Sequence, residues 1–98
     1  LEKSRTTRSG DFAIELAAEL HRKFPPGAPI EGASARTFAR IVDELCARAR
    51  AFQRENRLGF YGKARFGTEF KYRLEDLGYP EALADELTRT LLIRMSAE

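Results

Sequence analysis

Cysteine is nearly missing: Cys46 is the only one in 98 residues. That excludes an internal disulfide framework and any multi-cysteine zinc site, and it suits a reducing compartment. Tryptophan is absent and histidine occurs once, at His21. A lone imidazole with no cysteine, serine or second histidine at matching spacing is a poor general base and a poorer metal ligand. No apolar run approaches the ~20 residues of a membrane span, and no signal-peptide pattern opens the chain. The glycine-containing stretches GFYG and FGTEF lack the Walker and dinucleotide spacings. The carboxylate pairs Asp43/Glu44, Glu75/Asp76 and Asp85/Glu86 are adjacent in sequence, so on a helix their side chains diverge. These absences lead to the expectation of a non-enzymatic cytoplasmic protein with no cofactor, no metal and no membrane partner.

β-branched residues are few and nothing alternates with period two for long, so strands are not expected. Hydrophobic residues make up 43% of the chain, enough for one core that hides roughly two-thirds of the unfolded surface. The fold class that follows is all-α: a single-domain bundle of four helices over about 11–24, 34–57, 63–77 and 80–95. Residues 1–10 carry three basic side chains and no periodicity, and read as a disordered basic arm preceding a domain over 11–98.

Each helix rests on a stripe. Phe12, Ala13, Leu16, Ala17, Leu20 and Phe24 keep three-four spacing, with Asp11 or Ser9 as cap. The segment PPGAPIEGA over 25–33 cannot continue a helix. Its one large apolar side chain, Ile30, is expected to pin it to the core. Ser34 is expected to cap the longest helix, with Phe38, Ile41, Val42, Leu45, Ala49 and Phe52 inward and Cys46 beside them as a small buried hydrophobe. Phe60 and Tyr61 fall in a turn between Gly59 and Gly62, before a stripe of Phe66, Phe70, Leu74 and Leu77. Gly67 inside that stripe suggests a closely packed neighbouring backbone. Leu77-Gly78-Tyr79-Pro80 reads as a left-handed helix stop in which Tyr79 folds back on Leu74. In the last helix Leu83, Ala84, Leu87, Leu91 and Leu92 make a wide stripe, with Ile93 and Met95 partly outside it. A helix apolar over so wide an arc packs on two neighbours.

Charge is segregated along the chain. Residues 34–73 carry ten basic against four acidic side chains, and residues 74–98 carry two against six. Two functional readings compete. The first is a helical protein-interaction module that binds a protein partner or self-associates as a homo-oligomer, through Phe60, Tyr61, Leu92, Ile93 and Met95. The second is a nucleic-acid-binding domain built on 48–73, where basic and aromatic residues interleave. There Arg54, Arg57, Lys63 and Arg65 meet phosphates and exposed aromatics stack on unpaired bases. Phe52, Phe66 and Phe70 lie on core stripes, which leaves Phe60, Tyr61 and Tyr72 for that surface. Glu81, Asp85 and Glu86 along the last helix argue against its entering a DNA groove.

Two local resemblances follow from particular runs. Leu74-Glu75-Asp76-Leu77-Gly78-Tyr79 with Ala82, Ala84 and Leu87 resembles the first helix and loop of ubiquitin-associated domains, which are shorter three-helix units with no counterpart of 34–57. Leu58-Gly59-Phe60, Ala64-Arg65-Phe66, Arg73-Leu74 and Leu77-Gly78-Tyr79 are similar to the helical repeat of RecX-type recombination regulators, over some 30 residues of turn and helix positions. The acidic last helix departs from that repeat. Neither resemblance assigns a role to a residue here.

Overall fold

The structure, a computed structural model, describes residues 5–96. Four helices follow in order: α1 (Arg5–Lys23), α2 (Gly32–Asn56), α3 (Phe60–Asp76) and α4 (Glu81–Ser96). Among the described residues there is no strand, and no helix is long and apolar enough to cross a membrane. The four stripes close on one core in which Leu16, Leu20, Leu45, Phe66, Phe70, Leu74 and Leu91 are fully buried. Burying each such side chain contributes roughly 1.5–3 kcal/mol.

α1 starts earlier than its apolar stripe. Ser9 and Gly10 are buried helical residues, so the expected arm is corrected from Arg5 onward; residues 1–4 lie outside the described residues. Their small size explains both the miss and the packing. Ser9 and Gly10 lie one turn before Ala13 and two before Ala17, and this narrow ridge lets α1 lie close against α3. A Cβ added at Gly10 would stand 3.3 Å from Arg65 Nε, and one at Gly62 would stand 3.5 Å from Ser9 Oγ. Tertiary contact overrides the poor helix propensity of both residues.

α1 and α3 run parallel. Ser9 faces Gly62 at one end, Phe12 meets Phe66 at 5.9 Å, and Tyr79 reaches Phe24 at the other end. α2 returns antiparallel along α1, where Phe12 stacks on Phe52 at 4.1 Å and Phe24 meets Phe38 edge-to-face at 5.0 Å. Arg48 bridges Glu15 and Glu19, and Lys23 bridges Glu19 and Glu44. These are surface pairs of about 0–1 kcal/mol each, so they set the alignment of α1 on α2 more than its strength. α4 runs antiparallel to α3 and also packs on α2, which gives its broad apolar arc the two neighbours expected of it.

Three local expectations change. Glu31, not Ser34, is the N-cap of α2; Ser34 stands at N3, where its hydroxyl accepts from the Glu31 N–H at 3.2 Å and donates to the Pro29 carbonyl. Ile30 is 44% exposed, and Ala28 is the linker residue that packs against the core. At Gly67 the close neighbour is a side chain: a Cβ there would stand 2.9 Å from Leu92 Cδ1. The space a larger residue would occupy is already taken by α4.

The α3–α4 corner forms as expected. Gly78 adopts φ 106, its N–H donates to the Glu75 carbonyl at 3.0 Å, and the Tyr79 N–H donates to the Leu74 carbonyl at 3.1 Å. The buried Tyr79 hydroxyl then donates to the Phe24 carbonyl at 2.6 Å, satisfying a carbonyl just past the end of α1. Burial pushes this phenol up to about 12. An unfolded phenol ionises near 10, so the contribution is complete below pH 10 and disappears as pH rises toward 12. Tyr79→Phe is expected to lower stability by about 1–2 kcal/mol in urea unfolding at neutral pH. The variant is also expected to lose stability less steeply than the wild type between pH 10 and 12.

Candidate binding site

The end of the bundle where α1 begins, α2 stops and α3 begins collects exposed aromatics and uncompensated positive charge. Arg8 donates to Asn56 Oδ1 at 2.9 Å and so ties α1 to the last residue of α2. Arg57 ends α2 in the left-handed region at φ 51, its N–H donating to the Gln53 carbonyl at 2.7 Å, while Gln53 Nε2 donates to the Leu58 carbonyl at 3.3 Å. Leu58 turns inward and is buried. The chain therefore leaves α2 and enters α3 in three residues.

That tight entry decides where the aromatics go. Phe60 and Tyr61 are the first two residues of α3 rather than a turn before it. Gly62, Phe66 and Phe70 hold the buried face, so Tyr61 falls on the opposite side of the helix. Phe60 is 80% and Tyr61 79% exposed. Their rings touch only edge-on, centroids 5.5 Å apart and planes at 79°, which leaves ring faces open. The N-cap is Gly59, which has no side chain to cap the first turn. The positive end of the α3 dipole therefore lies beside the two rings.

Of the four basic residues expected to meet phosphate, Arg54, Arg57 and Lys63 have no ion pair among the described residues, and Arg65 pairs with Glu69 at 3.2 Å. Arg50, one of the basic residues of the 48–73 stretch but not of these four, joins the group. Asp43, Ala47, Arg50 and Arg54 form one stripe of α2 (i, i+4, i+7, i+11). Arg94 of α4 reaches Asp43 at 3.0 Å, only two residues from the end of α4, whereas α2 runs thirteen residues past Asp43. The remaining stripe runs farther along α2 than the described residues of α4 reach. There Ala47, Arg50 and Arg54 line a shallow depression of about 260 Å³, and the buried Arg50 Nε has no partner among the described residues. The i, i+3, i+7 spacing of Ala47, Arg50 and Arg54 was the available signal.

The apolar strip expected on α4 does not survive as one surface. Met95 is buried in the core, four residues on from Leu91 and on the same side of the helix. Leu92 is half-buried in the notch at Gly67. Ile93 alone of the three faces solvent, at 63% exposure. Tyr72 is 57% exposed on α3, as expected for a residue off the core stripe. Among the described residues no group of three His, Cys, Asp or Glu side chains is placed to share a metal ion. Cys46 is buried, and burial, with the Asp43 charge adding to it, pushes its thiol above its ordinary value. That disfavours the reactive thiolate.

Arg57 is the one described non-glycine residue at positive φ. The left-handed conformation costs a side-chain-bearing residue about 1–2 kcal/mol, part of which glycine returns through its freer unfolded chain. Arg57→Gly is therefore expected to raise the urea midpoint by an amount corresponding to about 0.5–1 kcal/mol, although it removes a charge from the exposed cluster. Comparison of the chain with family models, curated proteins and solved structures finds no match.

Proposed function

We propose that this protein is a nucleic-acid-binding module that uses the end of the bundle formed by the last turns of α2 and the first turn of α3. The observation that carries the reading is the coincidence of two exposed aromatic rings with Arg54, Arg57 and Lys63, none held by an ion pair among the described residues. Paired arginines elsewhere, such as Arg48 on Glu15 and Glu19 or Arg89 on Asp85, already have local partners. Unpaired guanidinium groups release counterions when they meet phosphate, and open ring faces stack on unpaired bases. The acidic residues Glu81, Asp85 and Glu86 belong to α4, which begins at the far end of the molecule. The α2–α3 end is remote from that start, and Asp85, which meets α3 at Lys71, is already paired with Lys71 and Arg89.

Binding to a short oligonucleotide is expected to weaken as salt rises, with a log–log slope of roughly −0.7 per phosphate contacted on a single strand. Arg54→Gln and Lys63→Gln are each expected to shallow that slope by about one contact. Phe60→Ala and Tyr61→Ala are expected to lower affinity by about 1–3 kcal/mol each while leaving the slope nearly unchanged. Fluorescence anisotropy across a salt series measures both quantities. No binding to single- or double-stranded probes at low salt would end the proposal.

A protein-interaction reading has one specific support, the exposure of Ile93 on the outward face of α4. It predicts a sedimentation coefficient that rises with concentration in the wild type and stays monomeric in Ile93→Glu. A wild-type protein that remains monomeric throughout would remove the self-association branch.

A further inference from the structure

We infer that the ligand is single-stranded and that it continues from the basic end along the outer face of α3 as far as Tyr72; this rests on the nucleic-acid reading above. Tyr61 and Tyr72 are both strongly exposed and stand eleven residues apart on α3. Eleven residues are almost three full turns, so the two rings share one side of the helix, about 16 Å apart along its axis. Between them that side carries Ala64, Arg65 and Thr68, Arg65 leaning toward Glu69 at 3.2 Å, with Gly67 at the α4 boundary. On the α4 side of Arg65 the small Ala64, Gly67 and Thr68 leave a trough of about 350 Å³ that ends at Lys71 and Tyr72 and has Leu92 of α4 as its far wall, with Tyr61 outside its lining.

The trough has a cation available to it. Lys71 lies on the groove wall, 6.0 Å from the centre of the Tyr72 ring, and its bridge to Asp85 is long at 3.8 Å. Asp85 is held more closely by Arg89, at 2.7 Å, so Lys71 is free to turn toward a phosphate without stranding a carboxylate. Gly67 matters for the same reason: Leu92 fills the notch that a side chain would take, which keeps the floor low. A duplex has its bases stacked inside and offers no ring faces to two tyrosines on one helix. An unpaired strand does, and at the stacked spacing of 3.4 Å about five nucleotides span 16 Å.

The test is a length ladder of oligothymidylates, from two to twelve nucleotides, with a twelve-base-pair duplex alongside, all at low salt. Wild-type affinity is expected to climb until the strand covers both tyrosines. Tyr72→Ala is expected to lose about tenfold in affinity for the nine- and twelve-nucleotide strands and nothing for the dinucleotide or the duplex, and Tyr72→Phe is expected to keep wild-type affinity throughout. Ala64→Glu, a helix-compatible change at an exposed position, is expected to reproduce the loss on long strands. Circular dichroism establishes that each variant is folded. If Tyr72→Ala and Ala64→Glu bind long strands as the wild type does, or the duplex binds more tightly than the single strand, the path along α3 is wrong while the basic site stands. If no probe binds, both fall.

Discussion

Close parallel contact between α1 and α3 is the constraint on which the rest of the structure depends. It is the most extensive helix contact in the molecule, and it exists because Ser9, Gly10 and Ala13 meet a helix that presents Gly62 at the matching level. Small residues bring backbones together and let Phe12, Phe66 and Phe70 fill the space beside the seam. Two consecutive helices in a bundle ordinarily lie side by side, yet here α2 and α3 sit across the core from each other and α1 takes the place between them. The short Arg57–Gly59 connection must then cross the end of the bundle. That crossing leaves the beginning of α3 at a rim instead of inside a helix hairpin.

Exposure at this rim follows from length as much as from sequence. The Asp43–Arg94 pair aligns the two helices so that α2 runs about 16 Å farther than the described residues of α4. Arg50 and Arg54 stand on that part. The same side of α2 is neutralised by Arg94 at Asp43, so one stripe of a single helix changes from paired to unpaired along its length. A +2 net charge would not have suggested so concentrated a field.

Much of the architecture was legible in the chain because three-four spacing of large apolar residues survives any tertiary arrangement. The stripes of α1 and α2, the Gly78 stop and the inward Tyr79 all appear where the spacing puts them. Where the signal depended on bulk, it failed. Ser9 and Gly10 carry no hydropathy, so the first turns of α1 looked like an arm. Met95 reads as partly outside its stripe, yet it stands four residues on from Leu91, on the same side of the helix, and is buried in the core. At the candidate site, Phe60, Tyr61 and Tyr72 were recognisable as the aromatics left over from the core, and Arg54, Arg57 and Lys63 as the basic residues beside them. Arg50 was legible only as part of the basic stretch, because its lack of an ion pair among the described residues depends on how α4 lies beside α2.

The topology also bears on how fast the chain acquires its native state. Helical bundles fold quickly when consecutive helices pair, since most contacts are then local. Only α3 and α4 meet through a tight corner here; the Tyr79–Phe24 hydrogen bond closes a separation of 55 residues and the Arg8–Asn56 bond one of 48. The α3–α4 hairpin has the lowest loop-closure entropy, and α1 has to dock across both α2 and α3 before its seam is stabilising. The α1 seam is therefore closed by contacts far apart in the chain, the kind that cost more loop entropy than a hairpin of consecutive helices.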